Sequence, residues 1–216
     1  MALPGAFLMQ RIRVIYAKGR ELMFTGNLDM QRVWERTFRR AGLELAYSQG
    51  FHPQPRIHQA CPLPVGFTSQ FELLDFWLNT NETLQEIEAK LQPALQPGIT
   101  ILHMREIPLS ENSLQTQVVA AKYVVFFDFE VNKQQVENRL NRLRSSEACI
   151  RTRRGKEYDL LPLIKSISFI DGPHPHLEMT LSATAGATGR PEEVLDELGI
   201  DYTDTSIVRT DLVLSE

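Results

Sequence analysis

Apolar and polar positions along the chain fall into two successive runs with the same order of periods. In residues 10–19, QRIRVIYAKG, Ile12, Val14 and Tyr16 alternate with polar or small neighbours, the period of a half-buried strand. Over residues 28–41 the period lengthens. Met30, Val33, Trp34, Phe38 and Ala41 recur at helical spacing, Asn27 or Thr25 is placed to cap the first turn, and Gly42 to stop the last. Next come the stretch 47–67 and then FELLDFWL, residues 71–78, which returns to strand period with Phe71, Leu73, Asp75 and Trp77 on one face and Leu74, Phe76 and Leu78 on the other. A helix over about 82–95, stopped by Pro97-Gly98, and a strand in ITILHMREI complete the run.

The order then restarts. AKYVVFFDFEV, residues 121–131, has the pattern of a strand, and Asn132 caps a helix reaching about residue 144. CIRTRRGKEYDLLPL and the stretch up to HLEMTLSA supply two extended segments. TGRPEEVLDELG is a helix with Pro191 in its first turn and Gly199 past its end, and SIVRTDLVLS is a last strand. Both runs are β-α-β-β-α-β. The prediction is an α+β fold of tandem ferredoxin-like units with antiparallel sheets, 9–107 and 119–216, joined by a polar linker at 108–118, PLSENSLQTQV.

Composition narrows the class without naming a function. With 43% hydrophobic residues in 216, the chain can bury a sizeable core, and its net charge of −4 speaks only to solubility. Two cysteines make no disulfide scaffold and read as free thiols in a reducing compartment. The start, MALPGAFLMQ, lacks the basic region of a signal peptide, and no apolar stretch approaches the ~20 residues of a membrane span, so a cytoplasmic protein away from membranes is expected.

Charge distribution changes the picture more than its total. Residues 1–60 carry nine Lys/Arg against four Asp/Glu, residues 121–156 again nine against four, and residues 157–216 three against twelve. On the first helix, at ~100° per residue, Arg32, Arg36, Arg39 and Arg40 share the side opposite the apolar stripe. An ordinary outer face mixes both signs, whereas here Asp29 and Glu35 are the only nearby acids. Guanidinium forks match phosphate oxygens, so this face is a candidate for a polyanion. Arg139, Arg142, Arg144, Arg151, Arg153, Arg154 and Lys156 form a second basic cluster, in which RTRRGK reads as a hairpin tip with Gly155 in the turn. Two such patches on tandem ferredoxin-like units would suit a single-stranded or structured RNA, although the aromatic signature of the RNA-recognition variant of the fold is missing.

The stretch YSQGFHPQPRIHQACPLPVGF, residues 47–67, admits three readings. His52, His58 and Cys61 stand at H-x5-H-x2-C, with His174 and His176 further on, but no C-x-x-C pair or H-E-x-x-H helix preorganises them, so no metal is assigned. Two thiols cannot hold an iron–sulfur cluster. Cys61 before Pro62 reads as a buried, inert thiol, and His52 lacks a second catalytic group. No catalytic residue and no cofactor are therefore assigned. What remains is a stiff arm, with Gly50 allowing a turn and Pro53 and Pro55 fixing the backbone to display His52, Gln54 and Arg56. The predicted binding set is Arg32, Arg36, Arg39, Arg40, His52, Gln54, Arg56, Arg151, Arg153 and Arg154.

RIRVIYAKGRELMFTGNLDMQRVWERTFRRAGLELAYSQGFHPQPRIHQACPLPVGFTSQFELLDF resembles the domain of unknown function found in radical-SAM-linked proteins of bacteria. The resemblance rests on the L-D-x-x-R helix start, the RRAG helix end and the Y-S-x-G-F-x-P-x-P-R arm. That family usually has a histidine before Leu-Asp, where this chain has Asn27. The resemblance implies a domain fused to, or encoded beside, a radical SAM protein. A non-catalytic accessory of a radical SAM enzyme that binds RNA is the resulting expectation. The alternatives are an enzyme on RNA or a phosphorylated substrate using His52, Arg56 and Asp29, and a module for protein–protein contact alone.

Overall fold

The structure, a computed structural model, describes residues 9–215; the opening MALPGAFL lies outside them. Contacts divide the chain into two units, Met1–Gln117 and Val118–Glu216. In the first, strand β1 (Gln10–Lys18) leads to helix α1 (Asn27–Arg40), strands β2 (Ile57–Gln59) and β3 (Thr68–Leu78), helix α2 (Leu84–Leu91), strand β4 (Ile99–Glu106) and the short helix α3 (Leu114–Gln117). β1 pairs antiparallel with β3 and β4, and β2 antiparallel with β3. The order β4-β1-β3-β2 follows, the interleaved pair of crossovers that defines a ferredoxin-like unit.

Ile12, Val14 and Tyr16 of β1 and Leu74, Phe76 and Leu78 of β3 form one buried cluster with Met30, Trp34 and Phe38 of α1 and Ile87 and Leu91 of α2. Its centre is an aromatic chain: Tyr16 to Trp34 at 5.0 Å, Trp34 to Phe38 at 5.4 Å, and Phe38 to Phe76 at 4.5 Å between ring centroids. Such contacts add to what area burial alone contributes. The helical period of α1 therefore has the cause the sequence suggested. Its start differs from expectation: Gly26 is the N-cap, and neither Thr25 nor Asn27 makes a side-chain cap bond. Its end is as expected. Gly42 has φ of 67°, and the N–H groups of Gly42 and Leu43 donate to the carbonyls of Arg39 and Phe38 in the pattern of a Schellman motif.

β1 also departs from a half-buried strand, because both of its faces are covered. Arg11 and Arg13 are 2% and 1% exposed and converge on Asp75 of β3, itself 0% exposed. Arg11 donates from Nε at 3.0 Å and from Nη2 at 2.6 Å to Asp75 Oδ2, and Arg13 from Nε at 2.7 Å to Oδ1 and from Nη2 at 3.0 Å to Oδ2. The segment expected to be a linker carries α3, buries Leu114, and accepts hydrogen bonds from Arg11 at the carbonyls of Glu111 and Asn112.

The second unit runs β5 (Val118–Phe127), α4 (Lys133–Ser145), β6 (Ile150–Arg153), β7 (Lys156–Asp159), β8 (Ile164–Ile170), β9 (His176–Thr184), β10 (Ala187–Thr188), α5 (Pro191–Glu197) and β11 (Thr205–Leu214). β9 pairs with β8 and β5, and β5 with β11, all antiparallel, which repeats the ferredoxin-like order. Asn132 caps α4 by accepting from the Gln135 N–H at 3.0 Å. CIRTRRGKEYDLLPL is not the second strand of this sheet. It forms a separate two-stranded hairpin, β6–β7, and β8 takes the place in the sheet. Among the described residues no helix is long and apolar enough to cross a membrane.

Candidate nucleic-acid interface

α1 presents its outer face because its inner face is fixed by Met30, Trp34 and Phe38. Arg32, Glu35, Arg36 and Arg39 line one side of a groove of about 740 Å³, and residues 42–45, Tyr47 and Pro55 line the other. Helix and arm, separate in the sequence, thus share one concavity. Arg32 is 67% exposed and pairs with Asp29 at 3.0 Å, an exposed contact of small energetic worth. Arg36 and Arg39 are exposed and have no carboxylate partner among the described residues. Arg40 leaves this set. At ~100° per residue it stands ~40° beyond Arg36 at the edge of the arc, and it donates from Nη2 to the Ala94 carbonyl at 2.6 Å.

The arm is a closed ribbon. Tyr47 bridges Pro55, the Ser48 N–H donates to the Gln54 carbonyl at 2.8 Å, and the Gln54 N–H donates to Ser48 Oγ at 3.0 Å. The Ala46 N–H donates to the Trp77 carbonyl, and the Arg56 N–H donates to the Ala46 carbonyl, both at 2.8 Å, which ties the ribbon's base to β3. Five residues, 49–53, turn at the tip, where Gly50 has φ of 132°, a value that side chains disfavour. His52 and Gln54 are exposed on this ribbon, and Phe51 at its tip is fully exposed.

Arg56 points elsewhere. It is half-buried, with its guanidinium 4.5 Å from the Trp77 ring centre, and Arg11 stands 5.1 Å from the same ring. His58 meets Trp77 edge-on at 4.8 Å, and burial, then the Arg56 charge, lowers its pKa from the ordinary value, with Asp75 opposing and Arg11 adding to the fall. This is a packed face of the sheet rather than part of the groove.

In the second unit the predicted arginines are engaged by α5. Arg151 pairs with Asp196 and Glu197, each at 2.5 Å. Arg153 pairs with Glu193, donates to the Thr188 carbonyl at 2.9 Å and lies 4.7 Å from the centre of the Tyr158 ring. Arg139 donates to the carbonyls of Leu198 and Gly199, and Arg144 to that of Ile167. Arg154 sits exposed in the β6–β7 turn with φ of 53°, followed by Gly155 at 76°. The acidic stretch 157–216 thus spends Glu193, Asp196 and Glu197 on neighbouring arginines.

Neither Cys61 nor Cys149 forms a disulfide among the described residues. Cys61 is half-buried rather than buried, and burial beside Glu197 pushes the Cys149 thiol up to about 11, so Cys149 remains protonated near neutral pH. Among the described residues no three His, Cys, Asp or Glu side chains converge as a metal site. The feature that sequence reasoning passed over is Phe51. A lone apolar residue in a proline-rich stretch carries no periodic signal, and its exposure follows only from the closed ribbon.

Fold and groove together define an α+β protein of two ferredoxin-like units whose first unit carries an open, arginine-lined concavity. The chain belongs to the bacterial family described as "Uncharacterized protein conserved in bacteria (DUF2344)", whose model matches residues 11–191. No curated protein matches the chain. Among solved structures, it is similar to a chain of "a Cbf5-Nop10-Gar1 Complex" at 9% identity and a TM-score of 0.48, covering 94% of this chain and 48% of that one. A chain of the "archaeal box H/ACA sRNP Nop10-Cbf5 complex" is similar at 10% identity and a TM-score of 0.43, with 94% and 48% covered. The small subunit of acetolactate synthase from Thermotoga maritima is similar at 12% identity and a TM-score of 0.27, with 96% of each chain covered. This chain thus spans about half the length of the first two.

Proposed function

We propose that this protein is a non-catalytic accessory that binds RNA in the groove between α1 and the arm, and that it works beside a radical SAM enzyme. The RNA reading is carried by one observation: Arg32, Arg36 and Arg39 share a single concavity with Tyr47 and Pro55. Guanidinium groups without acidic partners remain available to phosphate oxygens. Arg32 holds a weak exposed pair that a phosphate can displace. The radical SAM partner rests on the resemblance carried by the helix start, helix end and arm.

The groove lends the catalytic alternative no support, since none of His52, Arg56 and Asp29 is among the residues that line it. Arg56 is stacked on Trp77, and Asp29 is paired with Arg32 in the first turn of α1. A purely protein-binding module uses the same arginines against carboxylates.

Titration of labelled single-stranded RNA, structured RNA and duplex DNA at several salt concentrations tests the reading. The wild type is expected to bind RNA with a steep log–log salt slope. Arg36→Glu and Arg39→Glu should each flatten that slope by about one, the share of a single neutralised phosphate. Unchanged affinity in these variants removes the groove from the reading, and absence of binding even at low salt removes RNA.

A further inference from the structure

Phe51 stabilises nothing in its own unit. It is fully exposed at the apex of a ribbon whose closure by the Ser48–Gln54 hydrogen bonds and by Pro53 and Pro55 gives the ring no route into the core. Tyr47, 53% exposed, stands at the base of the same ribbon on the edge of the arginine groove. The apex lies four residues further on, at most ~13 Å along an extended chain. A strand whose phosphates run along Arg32, Arg36 and Arg39 and pass Tyr47 would reach an aromatic ring held out in solvent.

We infer that Phe51 is a base-stacking residue and that the RNA taken by this groove presents unpaired bases, as a single strand, loop or frayed end. The inference rests on the RNA reading above. Two features favour a nucleobase over an apolar pocket of a protein. The groove at the ribbon's base holds three arginines, which outnumber its carboxylates Glu35 and Glu44, and the ribbon is stiff, so little conformational freedom is lost when the ring is covered. Every base offers a stacking face, whereas a continuous duplex offers one only at its ends. Phosphate contacts from the helix then set affinity for any RNA, and the ribbon tip selects the unpaired form. That division of labour separates positioning contacts from recognition.

The test uses the full chain with three probes: oligoadenylate, oligouridylate and the duplex the two form. Phe51→Ala is expected to bind either single strand roughly five- to a hundredfold more weakly than the wild type, with the salt slope and the duplex affinity unchanged. Phe51→Trp is expected to restore binding, and its indole fluorescence should be quenched by oligoadenylate and not by the duplex. Because the ring touches no core residue, circular dichroism of each variant should match the wild type. Equal losses on single strand and duplex in Phe51→Ala, or no loss on either, overturn the inference while Arg36→Glu still reports on the groove. An indole in Phe51→Trp that no RNA quenches, but that a purified radical SAM partner protects, assigns the tip to a protein and likewise overturns it. Failure of the wild type to bind any RNA removes the RNA reading itself and the inference with it.

Discussion

The two arginine-rich regions look alike as sequence and have opposite fates. Over 32–40, four arginines share one side of α1, and three of them line a groove whose two carboxylates, Glu35 and Glu44, are not paired with them among the described residues. Over 139–156, six arginines stand in a comparable density, yet Arg151 and Arg153 are bound by the carboxylates of α5, and Arg139 and Arg144 by backbone carbonyls. The difference comes from what the fold packs alongside each patch. α1 lies with its outer face toward solvent; Asp29 pairs with Arg32, while Glu35 and Glu44 line the groove and, among the described residues, form no ion pair with its arginines. Hairpin β6–β7 lies against α5, whose sequence PEEVLDE brings three acids to it. A run of cations therefore stays open to a ligand only where no neighbouring carboxylate pairs with it. Buried arginines form a third case. Arg11 and Arg13 share Asp75 at the heart of the first unit, and Arg11 also holds the segment at 108–118 in place.

These three classes of arginine predict three sizes of effect. The largest belongs to Asp75→Ala, which leaves two buried guanidinium groups without their shared carboxylate and should cost about 3–5 kcal/mol in urea unfolding. A loss under ~1 kcal/mol would mean that Arg11 and Arg13 find other partners or water, and that the buried class is not distinct. Glu193→Ala comes next. It frees the half-buried Arg153, which keeps the Thr188 carbonyl and the Tyr158 ring, so the expected loss is on the order of 1–2 kcal/mol. The same variant should strengthen RNA binding to the second unit if engagement by α5 is what silences the hairpin. Unchanged affinity would show that charge alone does not make a site there. By contrast Arg36→Glu and Arg39→Glu should shift stability by less than ~0.5 kcal/mol, as exposed positions without partners do, while reducing RNA affinity.

Local chemistry was legible in the sequence, and long-range pairing was not. The stop at Gly42, the cap at Asn132 and the entry of α5 at Pro191 each follow from one residue's backbone or side-chain habit, and the structure keeps all three. The repeated β-α-β-β-α-β order followed from period, whereas α3 and the hairpin β6–β7 did not. What escaped depends on contacts across long stretches of chain. Strand period places Arg11 and Arg13 on the polar face of β1, but only the register that sets Arg13 beside Asp75 makes that face a buried ion cluster. RTRRGK announces a turn, but nothing local says that its arginines meet acids some forty residues later. The extra hairpin was missed for a related reason: an extended segment does not reveal which strand it pairs with. Arg40 shows the limit of a helical wheel, which gives direction and cannot register a free carbonyl at Ala94.

Arg154 refines the comparison at smaller scale. It is the exposed arginine at the β6–β7 turn, and it occupies a left-handed position with φ of 53° beside Gly155, the arrangement of a two-residue turn that favours Asn-Gly. Arg154→Asn should therefore stabilise the protein by about 0.5 kcal/mol if arginine is only tolerated there. A simultaneous drop in RNA affinity would show that the second unit does keep one working cation in the hairpin.

The smallest effect concerns Arg56, which the arm's sequence placed with the binding residues and the structure stacks on Trp77. If Arg56 belongs to the internal class, its charge and that of Arg11 should bear on His58, whose pKa burial already lowers and Asp75 partly restores. In the unfolded chain His58 titrates near its ordinary value of 6.5, whereas in the native state it binds its proton only at lower pH. Below that ordinary value the unfolded state thus holds more protons than the native one, and stability contributed by the neutral ring is lost as pH falls. Urea unfolding between pH 7 and pH 5 should show a decline that is shallower in His58→Gln. Arg56→Gln should also make it shallower, by removing one of the two cations that oppose protonation. A profile identical in wild type and Arg56→Gln would place the guanidinium too far or too well solvated to act on His58. Arg56 would then return to the solvent-facing class, and the arm would present one more cation than its stacked geometry now suggests.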